Sequence, residues 1–567
     1  MDQSNCLFGA DALVRMLQLH GVGHIFGLCG DTSLPWYDAL RRLDHGMTHV
    51  LCRDERSAGY MADAYARVSG KVGVCEGPSG GGATYILPGL AEANESSIPI
   101  LAITTDISVS SRGRFTLTEL DQEALFRPVT KWNKVIDRAS DLPRLVRTAF
   151  TQMTSGRPGA VHLGLPFDVQ TSPVDEEEIW ANEALGRFPS QRFGADPSAV
   201  AAAADLLAAA ERPVFICGGG VVIAGAEQEL SALAERLGAA VATTISGRGS
   251  ISDRHPLAVG VVGSNGGTIE TRSVVQQADL VIFVGCRAGS VTTERWRFPA
   301  PHTCKILHID VDPAVIGANY RADAALVGDA RLCLAAVNIA CEKAGIRSKT
   351  QDAMQRLVAD AKTRKFKNFQ KLALSDELPI RPERLVAELQ TVLPRDAILV
   401  ADAGTPCPYF SAYLVQENPG RQFISNRAHG ALGYALAAAA GACFGRPGVK
   451  CVSVMGDGSF GFTVGELETV IRHKLPIMFV VVSNATYGWI KAGQKSKYNS
   501  QFYSVDFGRT DHARIAEAYG LKSWTVREPA ALRGTLDAAI NCGEPCVVDV
   551  ISQPLHEARA PVSEWVA

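Results

Sequence analysis

The chain has 567 residues, which is too long for a single hydrophobic core, so we expect roughly three or four compact units. Hydrophobic residues make up 47% of it and charged residues 20%, as in an ordinary globular protein. The formal net charge is -3, and this near balance gives no reason to expect nucleic acid or an anionic membrane as a partner.

The first segment begins without the basic and apolar regions of an export signal, which predicts a cytoplasmic protein. Short β-branched runs then alternate with helical patterns, as in βαβ units around a parallel sheet. The predicted strands lie at residues 24–28, 49–55, 72–77, 98–104 and 159–166. A polar stretch at 171–198, with an acidic run and several prolines, predicts a linker.

The middle and last segments have the same alternating pattern, and a charged, partly helical stretch around 346–385 connects them. Predicted strands lie at 212–220, 278–285 and 305–312 in the middle segment, and at 397–404, 449–458, 475–484 and 544–552 in the last. We therefore predict an α/β protein of three doubly wound parallel-sheet domains. The predicted domains are N-terminal 1–180, central 191–345 and C-terminal 365–555.

The least polar long stretch, residues 430–445, is the nearest approach to a membrane span. It is short for a bilayer and rich in small residues. This composition predicts a buried helix packed closely on a sheet.

A carboxylate, Asp457, stands between two glycines directly after an apolar run in the sequence VMGDGSF. Ligands of parallel sheets bind beyond the carboxyl ends of strands, and the next predicted strand ends at Asn484. Twenty-six positions separate Asp457 from Ser483, enough for one helix and a returning strand, so Asn484 can lie beside Asp457. With a backbone carbonyl, these oxygen donors suit Mg²⁺, whose shell phosphate and water complete. The alternative is a simple turn in which Asp457 caps the next helix.

The order GDGSF, helix, strand, SN-x-x-x-G resembles the thiamine diphosphate motif of the acetolactate synthase, pyruvate oxidase and 2-oxo acid decarboxylase superfamily. The resemblance implies that Asp457, Asn484 and the carbonyl of Thr486 bind Mg²⁺, which anchors the cofactor's diphosphate. Ser483 stands where the family has a first asparagine, but the metal ligand is the second. Because the resemblance spans nearly the whole chain, it implies aminopyrimidine-binding, central and diphosphate-binding domains in that order.

A second motif, RDERSAGYMADAYARVSG, resembles the family segment that carries the cofactor-activating glutamate. It places Glu55 between a predicted strand and a helix, with Asp54 where the family has histidine and Ala64 where it has glycine. The resemblance implies that Glu55 shares a proton with the aminopyrimidine ring in an apolar pocket, where burial tunes its pKa. By itself, Glu55 could equally be a helix N-terminal glutamate favoured by the helix dipole.

Two glycine-containing turns are candidates for binding the diphosphate. Backbone amides near Gly458 and Ser459 open the helix after the carboxylate and would bind a phosphate oxygen. The sequence DAGTPCPY resembles the loop after the first strand of the family's diphosphate domain, which implies phosphate contacts at Gly404 and Thr405.

The sequence GALGYALAAAAGA resembles a family segment that holds the aminopyrimidine. By this match the carbonyl of Gly430 receives the amino group of the ring, and Leu432 is the wedge that bends the cofactor. The alternative for Leu432 is an ordinary core residue.

The resemblance implies an active-site entrance near Cys29 and Asp31. Asp31 resembles the aspartate of simple 2-oxo acid decarboxylases, which also use a histidine pair in the first domain, and 104–131 contains no histidine. Thr118 stands where carboligases have glutamine, and Gln122, one helical turn later, is our candidate for that catalytic amide.

The sequence YGWIKAGQ implies the other side of the substrate pocket, with Trp489 and Ile490 as its apolar wall. Gly493 replaces the bulky aromatic residue of synthases and leaves room for a larger acceptor. The central segment lacks the synthase flavin pattern, so FAD or another nucleotide there is left unclaimed.

These features predict a thiamine diphosphate-dependent carboligase or lyase of the acetolactate synthase-like type, acting on a 2-oxo acid or related acyl donor through an enamine. The alternatives are a decarboxylase with Asp31 as proton donor, a pyruvate oxidase-like enzyme, and a catalytically silent binding paralogue. The resemblance also implies a homodimer or homotetramer with sites between subunits and small-molecule substrates only.

Overall fold

The computed structural model describes residues 7–348 and 350–564, and within them the chain forms three six-stranded parallel sheets and one antiparallel ribbon. Two compact units share these residues. The first comprises the described part of Met1–Gln191 with Asn426–Gly448 and Thr463–Leu475, and the second comprises the rest. The predicted class, an α/β protein of three parallel-sheet domains, is confirmed. Each predicted domain range contains one sheet, and the domain boundaries stay a prediction.

The first compact unit is built around one of these sheets. The strands of this unit are β1 Leu7–Phe8, β2 His24–Gly27, β3 Thr48–Leu51, β4 Gly73–Gly77, β5 Ile100–Asp106, β6 Trp132–Val135, β7 Val161–Pro166 and β8 Pro173–Val174. The order across the sheet is β3-β2-β4-β5-β7-β6, and β1 pairs with β8 in the antiparallel ribbon.

Helices cover both faces of this sheet. They are α1 Gly9–Leu19, α2 Leu34–Arg42, α3 Glu55–Ser69, α4 Gly81–Tyr85, α5 Leu87–Glu95, α6 Gln122–Phe126, α7 Leu142–Thr154 and α8 Phe167–Gln170. Leu101 and Ile103 of β5 share a core with apolar residues of α1 and α7. On the opposite face, a Cβ at Gly73 would lie 2.1 Å from the carbonyl oxygen of Ala62 in α3. Glycine at this position therefore lets α3 lie directly on the sheet.

The five strands predicted for this unit are present, and their boundaries explain where the polar side chains lie. The strand predicted at 49–55 ends at Leu51, and the next residues lead into α3. Helix α3 begins at Glu55 because the Asp54 side chain accepts the backbone N–H of Arg56 at 2.7 Å, which caps the first turn. The sequence did not reveal β6, an edge strand in which three of four residues are half-buried.

The second compact unit contains two sheets, and the first of them corresponds to the middle segment. Its strands are β9 Pro213–Cys217, β10 Ala240–Thr243, β11 Ala258–Val261, β12 Leu280–Val284, β13 Lys305–Asp310 and β14 Ala324–Val327. They lie in the order β11-β10-β9-β12-β13-β14. The flanking helices are α9 Pro197–Ala209, α10 Gly219–Ala224, α11 Glu227–Leu237, α12 Ile269–Val275 and α13 Ala330–Lys343. The three predicted strands are present, whereas the short, alanine-containing β10, β11 and β14 were missed.

The second sheet of this unit corresponds to the last segment. After α14 Gln351–Ala373 and α15 Pro382–Val392, its strands are β15 Ile398–Ala401, β16 Phe423–Ile424, β17 Cys451–Gly456, β18 Met478–Ser483, β19 Lys522–Val526 and β20 Cys546–Ile551. They lie in the order β16-β15-β17-β18-β20-β19. The later helices are α16 Pro406–Tyr413, α17 Tyr434–Gly445, α18 Asp457–Thr463, α19 Leu467–Arg472, α20 Gly488–Lys497, α21 His512–Ala518 and α22 Pro529–Ile540. Of these, α17 and α19 belong to the first unit.

Helix α17 is the predicted small-residue helix, and it is buried along nearly all of its length. It belongs to the first unit and packs mainly against helix α3 of that unit. Phe444 near its end also contacts the rings of His24 and Phe26 in β2, so the helix touches the sheet there as predicted. A Cβ at Gly441 would lie 2.1 Å from the carbonyl oxygen of Met61, which shows how closely the two helix backbones approach. Among the described residues, no helix is both long enough and apolar enough to span a bilayer.

Candidate functional site

Asp457 and Asn484 lie side by side at one edge of the C-terminal sheet. Strands β17 and β18 are parallel neighbours, with Gly456 opposite Val482, so the residues that follow them emerge together. One carboxylate oxygen of Asp457, Oδ2, accepts the backbone N–H groups of Asn484 at 2.8 Å and Ala485 at 2.6 Å. The strand-end argument therefore predicted this pair correctly in position.

The side chain of Asn484 presents an oxygen that fits a metal ion. Its amide oxygen Oδ1 is buried and has no hydrogen-bond partner within residues 7–348 and 350–564. Thr486 is buried two residues later, and its hydroxyl donates to the carbonyl of Val505 at 2.9 Å. A buried carboxylate, an amide oxygen and a backbone carbonyl are donors that fit Mg²⁺. In the described chain, no cluster of three or more His, Cys, Asp and Glu side chains offers an alternative metal centre.

Burial controls the charge of Asp457. Desolvation raises its pKa above the ordinary aspartate value, while hydrogen bonds from the backbone N–H groups of Ala485, Asn484 and Gly458 lower it. A bound cation would favour the ionised form further.

The predicted diphosphate residues gather around this corner. The hydroxyl of Ser459 donates to the carboxylate of Asp402, at the end of β15. Gly404 has φ 94, a backbone conformation that favours glycine. A Cβ at Gly488 would lie 3.6 Å from the hydroxyl of Thr405, so the loop after β15 faces the start of α20.

The amide of Gly458 is engaged, since it donates to the Oδ1 oxygen of Asp457 at 2.9 Å. A phosphate contact by this amide stays a prediction, because the bond to Asp457 must open first. A Cβ at this position would lie 2.8 Å from the ring of Tyr487, so a larger residue would have to displace that ring.

Glu55 lies at the first turn of α3 in the first unit and is only 5% exposed. Two glycines make room for its side chain: a Cβ at Gly82 would lie 3.1 Å from its Oε1 atom, and one at Gly77 would lie 3.1 Å from its Cγ. Burial raises the pKa of Glu55, its own backbone N–H lowers it, and the charges of Asp54 and Glu76 raise it further. Glu55 is therefore a carboxyl group held toward its protonated form.

A chain of hydroxyl groups joins the entrance segments near Glu55. Thr32 Oγ1 lies 2.8 Å from Thr105 Oγ1 and 3.1 Å from Ser79 Oγ, and Ser79 Oγ lies 2.7 Å from Thr118 Oγ1. Asp31 is exposed beside Thr32, whose backbone N–H its carboxylate accepts at 2.9 Å. The structure thus brings Asp31 and Thr118 to the same edge of the sheet, through hydroxyl residues that the sequence did not reveal.

Cys29 is also exposed in this segment, two residues before Asp31. Among the described residues, no contact of its thiol indicates a function, and its place in a substrate pocket stays a prediction.

Gln122 lies inside the first unit and not on an open surface. Its Oε1 accepts the hydroxyl of Thr104 at 2.5 Å, and its Nε2 donates to the carbonyl of Thr105 at 3.0 Å. His162 completes this buried group, with Nε2 at 2.6 Å from Thr104 Oγ1. These bonds give Gln122 a structural task, and its catalytic role stays a prediction.

The segment predicted to hold the aminopyrimidine belongs to the same compact unit as Glu55. Gly430 has φ 75, and the backbone N–H of His429 donates to the buried carboxylate of Glu92 at 2.8 Å. Leu432 is half-buried, so it is not an ordinary core residue. The roles of Gly430 and Leu432 toward a cofactor stay predictions.

Trp489, Ile490 and Gly493 all lie on α20, in the second unit. Trp489 packs partly against the core of the C-terminal sheet, whereas Ile490 is 55% exposed. The roles of Trp489, Ile490 and Gly493 in a substrate pocket stay predictions.

Ser483, which departs from the family motif, is the one residue visible in the sequence that belongs to a further polar group beside Asp457 and Asn484. The structure places Ser483, His512 and Asp549 together there, and all three are buried. The last two residues had no visible signal, because each belongs to an otherwise ordinary helix or strand pattern.

Family comparisons cover most of the chain. The N-terminal TPP binding domain of thiamine pyrophosphate enzymes matches residues 8–125, the central domain matches 200–337, and the C-terminal TPP binding domain matches 402–550. Each match includes strands of a different six-stranded sheet.

Curated relatives are similar over nearly their full length. The chain is 34% identical over 558 residues to a probable acetolactate synthase large subunit of Methanococcus aeolicus, covering 96% of this chain and 92% of the relative. It is 35% identical over 559 residues to the corresponding protein of Methanocaldococcus jannaschii, with coverage of 96% and 92%. Acetolactate synthase isozyme 2 large subunit of Escherichia coli is 31% identical over 547 residues, with coverage of 96% and 95%.

Proposed function

Because the chain belongs to the acetolactate synthase-like family of thiamine pyrophosphate-dependent enzymes, we propose that it is a carboligase that joins an acyl group from a 2-oxo acid to a second carbonyl compound. The observation that carries the proposal is the unpartnered amide oxygen of Asn484 beside the carboxylate of Asp457. Both lie at a strand end, the position where a diphosphate-bearing ligand is expected.

We assign Mg²⁺ to this strand end, with Asp457, Asn484 and the carbonyl of Thr486 as its protein ligands. These three residues are called the metal corner below. Ser459, Gly404 and Thr405 would contact the diphosphate. Mg²⁺ keeps water and phosphate oxygens in its shell, so three protein donors are enough.

Thiamine diphosphate supplies, when bound, a nucleophilic ring carbon that attacks the carbonyl of the donor. The chain's contribution begins at Glu55, whose raised pKa favours a protonated carboxyl that can share its proton with a ring nitrogen. Gly77 and Gly82 leave room for the Glu55 side chain.

Asp31 supports a second candidate, a decarboxylase in which this residue donates the proton that ends the reaction. The favouring observation is its exposure at the sheet edge that also carries Thr118. The pyruvate oxidase-like and silent alternatives have no comparable support.

A product assay separates these functions. The purified protein is incubated with thiamine diphosphate, Mg²⁺ and pyruvate, and CO₂, acetolactate and acetaldehyde are measured. Release of CO₂ with acetolactate or another acyloin supports ligation, and CO₂ with free acetaldehyde supports the decarboxylase. Cofactor binding without turnover of pyruvate directs the search to a panel of 2-oxo acids, acyl donors and aldehydes read by mass spectrometry. Failure to bind the cofactor would exclude both enzymes.

We also propose that two copies build each site, as a homodimer or a homotetramer, with Glu55 from one copy and the metal corner from another. The relatives' name, large subunit, indicates that they assemble with other chains. Mixing Glu55→Gln with Asp457→Ala protein, after mild dissociation, should restore activity that neither variant has. Absence of recovery between folded, mixed oligomers would place the complete site in one chain.

A further inference from the structure

Three buried polar side chains from separate elements form a hydrogen-bonded cluster behind the metal corner. Ser483 ends β18, His512 begins α21 and Asp549 lies in β20. The hydroxyl of Ser483 donates to Asp549 Oδ1 and lies 3.0 Å from His512 Nδ1. Nδ1 of the same imidazole lies 3.4 Å from Asp549 Oδ2, so the three groups close a triangle.

The geometry is not that of a hydrolytic triad. In such a triad, the imidazole uses one nitrogen for the nucleophile and the other for the carboxylate. Here a single nitrogen, Nδ1 of His512, faces both Ser483 and Asp549. The hydroxyl of Ser483 is also bonded directly to the carboxylate, which orients it as a structural group.

The cluster is joined to the metal corner through the backbone. Ser483 directly precedes Asn484, and its carbonyl accepts the N–H of Ser552 at 2.9 Å, just beyond β20. Side-chain and backbone bonds thus fix Ser483 to β20 from two directions. Because Asn484 directly follows Ser483, these bonds also restrict the position of the Asn484 backbone.

Packing alone does not hold this region. A cavity of about 190 Å³ lies against Ser483, Asn484, His512 and Asp549, and Asp457 also lines it. Side chains beside a cavity lack van der Waals partners on that side. The hydrogen bonds of Ser483 add restraint at the point where the loop that carries Asn484 begins.

Burying a carboxylate and an imidazole in a sheet is costly compared with burying apolar residues of similar volume. The core of this sheet is built mainly from apolar side chains, such as Val454, Val480 and Val548, so it does not require the cluster. Outer groups that orient metal ligands are a common reason for keeping such polar residues.

We propose that Ser483, His512 and Asp549 are positioning residues that hold Asn484 in the geometry needed to bind the metal. The inference rests on the proposed function, because Asn484 is a metal ligand only if the corner binds Mg²⁺ with thiamine diphosphate. It also accounts for Ser483, since a short hydroxyl side chain reaches both His512 and Asp549.

The test uses calorimetry to measure how thiamine diphosphate binding to the full-length protein depends on the Mg²⁺ concentration. Ser483→Ala and His512→Phe should each raise the Mg²⁺ concentration for half-maximal cofactor binding about 10-fold or more. Ser453→Ala is the matched control, because Ser453 is buried in neighbouring β17 and its hydroxyl has no hydrogen-bond partner in the described residues. The control should leave the Mg²⁺ requirement unchanged.

A second measurement separates positioning from a general loss of stability. Thermal unfolding is recorded in EDTA and again with saturating Mg²⁺ and cofactor, because a ligand that binds only the folded state raises Tm. Positioning predicts that the Ser483→Ala and His512→Phe variants lose much of the ligand-induced rise in Tm relative to wild type. A lowered Tm in EDTA with a normal ligand-induced rise and a normal Mg²⁺ requirement would overturn the proposal.

Conservative rescue gives a third readout. Ser483→Asn restores a hydrogen-bonding side chain and should recover part of the Mg²⁺ affinity that Ser483→Ala loses, whereas equal loss in the two variants would contradict positioning by this group. If wild-type protein bound no cofactor at any Mg²⁺ concentration, the proposed function itself would fail. Normal binding by wild type and by both cluster variants would remove only this inference.

Discussion

The carboxylate of Asp457 accepts the backbone N–H of Asn484 at 2.8 Å, so the first of two adjacent strand ends positions the second. The same contact leaves the side-chain oxygen of Asn484 without a protein partner in the described residues. Asp457 thus offers a carboxylate and Asn484 an amide oxygen, and oxygen atoms of these two kinds are ligands that Mg²⁺ prefers.

Asp457→Ala should abolish Mg²⁺-dependent retention of thiamine diphosphate, because it removes the charged ligand and the acceptor for the amides of Asn484 and Ala485. Retention is measured by gel filtration of protein preloaded with cofactor and Mg²⁺. Asp537→Ala, at an exposed position of α22 in the same unit, should retain the cofactor normally. Normal retention by the Asp457 variant would refute the metal assignment.

Glu55→Gln should leave cofactor binding nearly intact and slow exchange of the thiazolium C2 proton by about 100-fold or more. The amide keeps the size of the side chain but cannot transfer a proton. Exchange is followed by NMR after transfer of the holoprotein into deuterated water. Glu177→Gln, at an exposed position in the first unit, provides a matched control. An unchanged exchange rate would exclude Glu55 as the activating acid.

Glu383→Gln should stabilise the protein more at pH 8 than at pH 5. Glu383 is fully buried, and neither carboxyl oxygen has a hydrogen-bond partner in any other described residue. Burial raises its pKa above the ordinary value of 4.5, with further contributions from its own backbone N–H and Arg381, which lower it, and Glu377, which raises it. Tyr409 packs nearby, and burial together with the charge of Glu383 raises its pKa too.

The sign follows from the two protonation states of Glu383. Below pH 4.5, the carboxyl is protonated in the folded and unfolded chains, so it contributes no pH dependence. As pH rises above 4.5, the unfolded chain releases the proton first, and stability falls until pH passes the raised folded pKa. Glu383→Gln should therefore raise the free energy of unfolding by about 1 to 3 kcal/mol more at pH 8 than at pH 5. Thermal unfolding of Glu377→Gln, its exposed neighbour, should show little difference between the two pH values.

Gly441→Ala should destabilise the first unit by more than about 2 kcal/mol, although alanine is the better helix former. The added Cβ would lie 2.1 Å from the carbonyl oxygen of Met61, a backbone atom of α3 that cannot move by itself. Gly534→Ala is the control, since nothing lies within 4 Å of a Cβ at that helical position. The control should gain about 1 kcal/mol. Urea unfolding measures both, and a stabilised Gly441 variant would contradict the close helix crossing.

Much of the fold and part of the site could be predicted from the sequence, and the misses have physical reasons. Asp457 and Asn484 follow from the rule that parallel strand ends share an edge. The edge strands Trp132–Val135 and Lys522–Val526 were missed because an edge position tolerates polar, half-exposed residues. Gln122 was predicted from its distance along the chain, whereas its hydrogen-bond partners lie on a strand behind it.

The first compact unit recruits α17, made late in synthesis, to cover α3, made early. While a ribosome is still translating the intervening residues, α17 is not yet available to cover α3. Gly441 of α17 can contact the backbone of Met61 in α3 only after both helices have been made. A gene fragment encoding only the N-terminal segment would leave that apolar face bare and should yield aggregates unless a chaperone shields it. Completion of the first unit therefore requires the distal portion of the polypeptide.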